Sequence, residues 1–177
     1  MYGFTNLHAD SAPERYQFAM AWEQNIPLIP AFILVYVSMN LLLLVPLFFA
    51  RAEDVRILGK RMIFCTLLAG LIFYFFPAPV AFARAQNIPE WQGAYDFLYH
   101  YDHPNNSLPS LHITYSLLAI FSFWDRLQLR GKTILLIWFF LICCSVLFTH
   151  QHQVLDIGAG VLLSYFSTLV FKAQASR

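Results

Sequence analysis

Long apolar stretches without charge, separated by short polar segments, dominate the chain. The hydrocarbon core of a bilayer, about 30 Å thick, is crossed by roughly 20 helical residues. Residues 31–50 and 62–83 contain no charged side chain, and we predict that they form the first two membrane spans. Pro77 and Pro79 are expected to bend or end the second helix.

Three more spans are predicted, at about 109–124, 133–149 and 153–171. The last contains one charge, Asp156, near its start. A charged residue at the centre of a membrane helix costs about 2.5–3.5 kcal/mol on insertion scales, and Asp156 therefore needs a functional or structural reason. The pattern predicts an all-α, polytopic transmembrane bundle of about five spans.

The N-terminal region is different in character. Residues 1–24 lack the apolar core of a cleaved signal peptide. Residues 13–24 mix aromatic and charged side chains, which suits a helix lying flat at the membrane interface or a short disordered leader. We therefore divide the chain into a leader or interfacial segment, 1–28, and a membrane-embedded domain, 29–172.

Composition supports the membrane assignment. The 177 residues are 59% hydrophobic and 12% charged, with a mean hydropathy of +0.56, whereas soluble domains contain about 25% charged residues. The net charge of +1 gives no indication of a nucleic-acid partner. Cys65, Cys143 and Cys144 all lie in apolar runs, where cysteine is typically a small buried hydrophobe.

The basic residues predict the orientation. Five spans place the termini on opposite sides, and the eleven Lys and Arg residues then divide nine to two. The larger group comprises Arg51, Arg56, Lys60, Arg61, Arg126, Arg130, Lys132, Lys172 and Arg177, and the smaller comprises Arg15 and Arg84. Positive charge favours the cytoplasmic side, so the C-terminus is predicted to be cytoplasmic. Segment 84–108 and turn 149–152 then share the extracytoplasmic face.

Segment 104–112, PNNSLPSLH, introduces the third span. Ser107 or Leu108 is expected just before the helix, with Pro109 in its first turn and His112 in the same turn. Unpaired N–H groups and the positive helix dipole make such a helix start a natural anion site. The alternative is a start cap with a histidine at the membrane interface.

A second polar group occurs in SVLFTHQHQVLD, residues 145–156. His152 and Asp156 are four residues apart and share one helix face, so the carboxylate can fix the tautomer of the imidazole. This is the base-and-orienter arrangement of catalytic sites. The alternatives are a structural hydrogen bond and a metal site with His150. Residues two positions apart on a helix, such as His150 and His152, point in different directions, which disfavours a metal site that uses both.

The two segments together resemble motifs of the type 2 phosphatidic acid phosphatase superfamily. Residues 109–112 read P-S-L-H, and the third motif, S-R-x5-H-x3-D, is matched in spacing from Ser145 to Asp156, with Val146 in place of arginine. The first motif, K-x6-R-P, is absent in that form. The phrases FTHQHQVLDIGAG and NIPLIPAF are most similar to the inositol phosphorylceramide synthase-like branch, in which this arginine is commonly missing. The resemblance covers about residues 25–170.

This resemblance implies a metal-independent enzyme without a cofactor that removes or transfers a lipid-linked phosphoryl group. His152 would attack phosphorus and form a phosphohistidine, Asp156 would orient it, and His112 would protonate the leaving oxygen. N–H groups near Pro109 and Gln151 would bind the phosphate oxygens. A neutral His152 and a protonated His112 predict a bell-shaped pH–rate profile, and a flat one between about pH 4 and 9 would contradict it. The expected substrate-binding residues are Arg84, Ser110, His103 and His150.

Arg84 is the candidate to replace the missing cations, because a buried phosphate dianion without a positive partner is costly. A guanidinium suits bidentate phosphate binding, although Arg84 could instead extend to the interface. The aromatic loop 91–101 is expected to anchor at the interface or to cover the site. Gly158, Ala159 and Gly160 are expected to allow close helix packing.

The expected partners are a lipid phosphate and the bilayer itself. Water and an alcohol would attack the same intermediate, so the sequence does not distinguish a hydrolase from a transferase. Two other classes stay open. A small membrane carrier would explain polar residues inside the membrane, and a non-catalytic scaffold of the same fold would explain Val146 and the missing first motif.

Overall fold

The computed structural model describes residues 15–102 and 104–172, and all regular secondary structure within them is helical. The six α-helices are α1 (Ile33–Phe49), α2 (Ala52–Phe75), α3 (Gln92–Tyr101), α4 (Leu111–Phe121), α5 (Leu129–Phe148) and α6 (Val154–Val170). Short 3-10 turns occupy Ala21–Asn25, Pro30–Phe32 and Trp124–Arg126. The predicted all-α class is confirmed.

Helix α4 forms the centre of the bundle. It packs against α1, α2, α5 and α6, and its residues 113, 114 and 116–120 are all buried. A helix that is apolar around its whole circumference is stable only when neighbours cover it. The first turn of α4, which carries His112, is therefore surrounded by the ends of other helices.

The helix ends form two groups, and consecutive bundle helices run in alternating directions. At one end, Arg126 forms an ion pair with Asp54 at the start of α2. The Arg61 guanidinium also donates to the Phe171 carbonyl just beyond α6, at 2.6 and 3.0 Å. We call this the basic end, because the predicted group of nine basic residues belongs to it, apart from Arg177, which lies outside the described residues.

The opposite end, which we call the site end, is joined by backbone hydrogen bonds. The Ile29 N–H donates to Phe148 at the end of α5. The Ser110 N–H, just before α4, donates to the Asp156 carbonyl in the first turn of α6 at 3.1 Å. The Tyr16 N–H donates to Pro77, beyond α2, which places Arg15 at this end together with Arg84.

Three helices are long and apolar enough to cross a membrane alone: α1 with its preceding turn, α2 and α5. Helices α4 and α6 are apolar but shorter, and the 11 residues of α4 extend only about 16 Å at 1.5 Å per residue. Large apolar side chains on the outside of the bundle remain exposed, including Leu34, Phe48, Ile63, Phe140 and Leu162. Lipid tails would cover this surface in a membrane.

The structure corrects the bounds of two predicted spans and the assignment of one segment. The second span was placed at 62–83, but α2 begins ten residues earlier at Ala52, because its charged first turns are helical too. It ends at Phe75, before Pro77 and Pro79, as the prolines predicted. The third span, 109–124, contains a helix only from Leu111 to Phe121, and Ser110 rather than Ser107 or Leu108 precedes it. Segment 91–101 is largely helix α3 and not a loop.

Gly160 is the point of closest approach between α4 and α6. A Cβ atom there would lie 2.6 Å from the Ser110 carbonyl oxygen and 3.1 Å from the Ile113 Cβ. The Thr114 hydroxyl donates to the Gly160 carbonyl at 3.1 Å across the same contact. The predicted close packing is confirmed at Gly160 and wrong at Gly158, where no atom lies within 4 Å of an added Cβ.

Candidate active site

The structure brings His112 and His152 together at the site end. His112 lies in the first turn of α4, and His152 lies two residues before α6. His112 Nδ1 and His152 Nε2 are 3.4 Å apart, and the ring centroids are separated by 5.6 Å. Both rings line one cavity. The two imidazoles therefore contact each other directly in the wall of one cavity.

Asp156 holds the far side of His152. Its Oδ2 lies 3.2 Å from His152 Nδ1 and also accepts from the Gln153 N–H at 2.9 Å. The carboxylate is fully buried in the first turn of α6, where the helix dipole favours negative charge. An ionised carboxylate only accepts hydrogen bonds, so Nδ1 of His152 carries the proton. Its Nε2 lone pair then faces His112.

The turn between α5 and α6 fixes His152 through the backbone. The N–H groups of Gln151 and His152 both donate to the Val146 carbonyl at 3.0 Å. His150 adopts a left-handed conformation with φ 58°, which reverses the chain. The Gln151 N–H, predicted to bind phosphate, is thus engaged within the protein. The valine that replaces the motif arginine is fully buried and positions the histidine by its carbonyl.

Two residues that the sequence patterns did not identify complete the cluster around His112. The Tyr36 hydroxyl, from the first turn of α1, lies 2.8 Å from His112 Nε2. It donates to Asp102 Oδ2 at 2.5 Å, at the end of α3. Asp102 Oδ2 is 3.9 Å from His112 Nε2. The only available signals were a phenol near the start of an apolar span and a carboxylate beside the PNN turn.

A third residue, Glu23, supports the start of α6. Its carboxylate is fully buried and accepts from the Val154 N–H at 2.6 Å and from the Met20 N–H at 2.6 Å. The first amide of α6 is therefore bound by a residue of the N-terminal segment. This contact fixes the helix that carries Asp156.

A largely apolar cavity of about 390 Å³ leads to the two histidines. Its walls come from α1, α2 and α3, and include Val37, Phe73, Phe97, Leu98 and Tyr101. Val37, Phe97 and Tyr101 are themselves 43%, 67% and 64% exposed. The cavity therefore opens on the side of the bundle, where α1 packs on α4 and α5 and α2 packs on α4 and α6.

A second, much smaller cleft of about 20 Å³ also borders His152. Arg84, Tyr99 and His150 line it, together with Ser107 and Gln151. The Arg84 guanidinium lies over the Tyr99 ring at 4.7 Å and donates to the carbonyls of Tyr99 and Asp102. Burial of the Tyr99 phenol raises its pKa, so it faces the guanidinium uncharged. Arg84 thus lies in the same cleft as His152, with its side chain exposed.

The other predicted substrate-binding residues occupy different surroundings. Ser110 is fully buried, and its hydroxyl caps α4 by accepting from the Ile113 N–H at 3.4 Å. The His150 ring stacks on Phe82 at 4.2 Å, and its Nε2 is 3.0 Å from the Ile26 carbonyl. Burial lowers the pKa of His150, against the raising effect of that carbonyl. His103 lies outside the described residues.

His150 also bears on the alternative metal site. A carbonyl oxygen only accepts hydrogen bonds, so Nε2 of His150 carries a proton directed at Ile26 and away from Asp156. Within residues 15–102 and 104–172, no group of three or more His, Cys, Asp or Glu side chains is arranged to hold a metal ion.

Comparison with known proteins adds one match. A family model described as the PAP2 superfamily matches residues 19–170, which includes both histidines, Asp156, Tyr36, Asp102 and Glu23. No curated protein and no solved structure gives a significant match.

Proposed function

The chain belongs to the PAP2 superfamily, and from this premise we propose that it is an integral-membrane enzyme that removes or transfers the phosphoryl group of a lipid-linked phosphate. Membership of the superfamily suggests phosphatase or phosphotransferase activity. The observation that carries the proposal is the placement of His152, whose Nε2 faces His112 across 3.4 Å and whose Nδ1 lies 3.2 Å from buried Asp156.

The first step forms a phosphohistidine. The Nε2 lone pair of His152 attacks phosphorus, the bond from phosphorus to the leaving oxygen breaks, and a proton from His112 passes to that oxygen. His152 then carries positive charge, which the Asp156 carboxylate stabilises through Nδ1–H. The buried Asp156 carboxylate stabilises this charge effectively because its surroundings are poor in water.

The second step releases the phosphoryl group. His112, now neutral, removes a proton from water or from an acceptor hydroxyl, whose oxygen attacks phosphorus while the bond to His152 Nε2 breaks. His112 regains its proton and the cycle closes. Transfer to an alcohol is the reaction expected of the inositol phosphorylceramide synthase-like branch, and transfer to water is that of a phosphatase.

The two openings at His152 support a lipid substrate. The cavity of about 390 Å³ is lined mainly by apolar side chains and opens on the side of the bundle, which suits a lipid chain. The small cleft with Arg84 also borders His152 and would offer a cation to the phosphate. Arg84 would replace the arginine that is Val146 here.

The proposed orientation places the site end outside the cytoplasm. The cations at the basic end favour the cytoplasmic side by the positive-inside rule. Helix α6 ends there, and we expect the C-terminus to be cytoplasmic. Substrate and acceptor would meet at the extracytoplasmic face.

The direct test uses purified protein in lipid vesicles with a panel of lipids carrying radiolabelled phosphate or diphosphate groups. We expect an acid-labile phosphoprotein and release or transfer of the label. His152→Ala should abolish the phosphoprotein and lower turnover at least about 10³-fold, as loss of a nucleophile does in a catalytic unit. The matched control is His100→Ala, since His100 is exposed on α3 and should retain activity.

Other outcomes identify the alternatives. Absence of phosphate release and of phosphoprotein with every lipid would indicate a non-catalytic scaffold. Altered solute flux in His152→Ala, without any phosphoryl chemistry in the wild type, would indicate a carrier. Dependence of label transfer on an added alcohol or lipid acceptor would identify a transferase.

A further inference from the structure

We propose that Asn40 selects substrates in which an acyl carbonyl, of an ester or an amide, follows the phosphate at a short distance, and that it does so by donating a hydrogen bond to that carbonyl. The inference rests on the proposed function and deepens it, because it names a class of lipid phosphate for the large cavity. It starts from the one amide side chain that α1 places in the wall of that cavity.

Asn40 lies at the mouth of the large cavity. It is exposed, it lines the cavity together with Val37, and it lies midway along the apolar span Pro30–Phe49. A polar side chain that faces lipid at this depth is disfavoured, and polar residues inside membrane helices commonly mark functional sites. The amide therefore needs a reason to be there, as Asp156 does.

The hydrogen bonds of Asn40 leave part of its amide available. The side chain offers two N–H donors and one carbonyl acceptor. One N–H donates to the Val37 carbonyl in the same helix at 3.1 Å, and this bond identifies the nitrogen, because a backbone carbonyl only accepts. Within residues 15–102 and 104–172, the second N–H has no hydrogen-bond partner. It is a donor in the wall of a cavity that leads to the two histidines.

The depth of Asn40 matches the structure of acylated lipid phosphates. The ring of Tyr36, one turn earlier on α1, packs on His112 with centroids 4.6 Å apart. Asn40 follows Tyr36 by about 6 Å along the helix axis, at 1.5 Å per residue, in the direction away from the site end. In a phosphorylated glycerolipid or ceramide, about five bonds separate phosphorus from the nearest acyl carbonyl, and they extend roughly 6 Å at about 1.3 Å per bond. A phosphate held near His112 would therefore bring this carbonyl to the level of Asn40.

A lipid phosphate without an acyl group lacks this acceptor. An isoprenoid phosphate has only hydrocarbon at the same position, and a dialkyl glycerol phosphate has ether oxygens, which accept hydrogen bonds more weakly than a carbonyl. The neighbouring wall residues Phe73, Phe97 and Leu98 offer apolar contact to the chains of either kind of lipid. A site that hydrogen-bonds one group of its substrate discriminates against an analogue without that group, because the polar side chain is then left unpaired. Asn40 would thus separate the two kinds of lipid without touching the phosphate.

The test compares a diacyl glycerol phosphate with its dialkyl ether counterpart, which has the same chains but no carbonyl, in vesicles of a dialkyl ether phosphocholine. Ceramide phosphate and a polyprenyl phosphate complete the panel, and the better of the two acyl substrates identifies an ester or an amide. We expect the wild type to favour that substrate over the ether by about tenfold in kcat/KM, the effect of one hydrogen bond. Asn40→Leu, which keeps the branched shape, should lower kcat/KM for the preferred acyl substrate about tenfold and change the values for the ether and polyprenyl phosphates less than about threefold.

Two further variants separate recognition from folding. Asn40→Gln keeps the amide and should keep most of the preference for acyl lipids. Thr168→Val removes an exposed hydroxyl on α6 that bonds the Tyr165 carbonyl of its own helix, and it should retain the wild-type values with every substrate. Equal losses on all substrates in Asn40→Leu would mean a structural role and would overturn the proposal, as would a wild type without the preference.

A preference that persists in Asn40→Leu would show that another group recognises the carbonyl, which also overturns the proposal. If the same variant changed from dimer to monomer with its preference intact, the amide would belong to a contact between helices of two copies, since interhelical hydrogen bonds stabilise such contacts in membranes. Crosslinking in the ether vesicles measures this oligomeric state.

A binding measurement distinguishes this proposal from the proposed function. The probes are a diacyl glycerol phosphonate and a ceramide phosphonate, whose carbon–phosphorus bonds resist cleavage, each with a 13C-labelled acyl carbonyl. A hydrogen bond from Asn40 should move part of the carbonyl infrared band to lower wavenumber in the wild type and not in Asn40→Leu. This shift in a protein that turns over no lipid would support the role of Asn40 while the proposed function fails. Turnover of lipid phosphates with neither the shift nor the preference would retain the proposed function and refute the inference.

Discussion

Gly160 shows how one residue controls the distance between the two helices that carry the histidine and the aspartate. An added Cβ would lie 2.6 Å from the Ser110 carbonyl, and backbone atoms cannot move aside as flexible side chains do. Ser110 also caps α4 immediately before His112. A change at Gly160 therefore acts on both stability and the position of His112.

We predict that Gly160→Ala destabilises the protein by about 1–3 kcal/mol, the usual cost of overpacking, and lowers turnover. Gly158→Ala is the matched control, since its Cβ would meet no atom within 4 Å and alanine favours a helix by about 0.5–1 kcal/mol. Denaturation in detergent measures both. Equal stability of the two variants would contradict the close approach.

His150 predicts a pH dependence of stability. Burial lowers its pKa in the folded protein below the ordinary value of 6.5, so below about pH 6.5 the unfolded chain binds a proton that the folded protein resists. The favourable contribution of the neutral ring is complete above that pH and is lost as the pH falls towards the folded-state pKa.

Thermal unfolding measured between pH 8 and pH 5 tests whether acidification lowers the stability of the protein. The wild type should lose more stability on acidification than His150→Gln, whose neutral amide can still donate to the Ile26 carbonyl. A wild type and variant with parallel pH profiles would show that His150 does not contribute.

The two motif histidines and Asp156 could be predicted because the information is local: Asp156 lies four positions after His152, and short motifs mark both helix starts. Tyr36 and Asp102 could not be predicted from the sequence. Their hydrogen bond joins residues 66 positions apart, and it depends on how α1 and α3 pack at the site end. A lone tyrosine in an apolar run is equally typical of a helix at the membrane interface.

At the scale of whole elements, apolar length predicted the bounds of the first and fifth spans to within two residues. It did not predict where α2 begins or how short α4 is. A charged turn can continue a membrane helix into water, and α2 does so from Ala52. Helix α4 has only 11 residues and is covered by four other helices, which no count of its own residues reveals. The aromatic segment forms α3, with Tyr95 buried and its pKa raised to about 12 by that burial.

The N-terminal segment is coupled to α6 through Glu23. We predict that Glu23→Ala destabilises the protein by about 1–3 kcal/mol, because the N–H groups of Val154 and Met20 lose the buried carboxylate that accepts from both. We also expect lower turnover, because the start of the helix with Asp156 is loosened. Glu53→Ala, which removes an exposed pair with Arg56, should cost at most about 1 kcal/mol. Unfolding and activity measurements on both variants provide the comparison, and an unaffected Glu23→Ala protein would exclude this coupling.

The whole molecule has two chemically different ends, and this predicts how it inserts. We expect a membrane-impermeant maleimide to label Gln86→Cys at the site end in intact cells, and Arg130→Cys at the basic end only after permeabilisation. Both residues are exposed, and the background has its three cysteines replaced by serine. The reverse labelling pattern would place the site in the cytoplasm.

The sideways opening of the large cavity has a kinetic consequence. A molecule that enters between α1 and α2 arrives by diffusion within the plane of the bilayer and never passes through bulk water. The velocity should then depend on the mole fraction of substrate among the surrounding lipids. Diluting a vesicle suspension with buffer would leave the turnover per protein unchanged, whereas diluting the substrate with inert phospholipid would slow it.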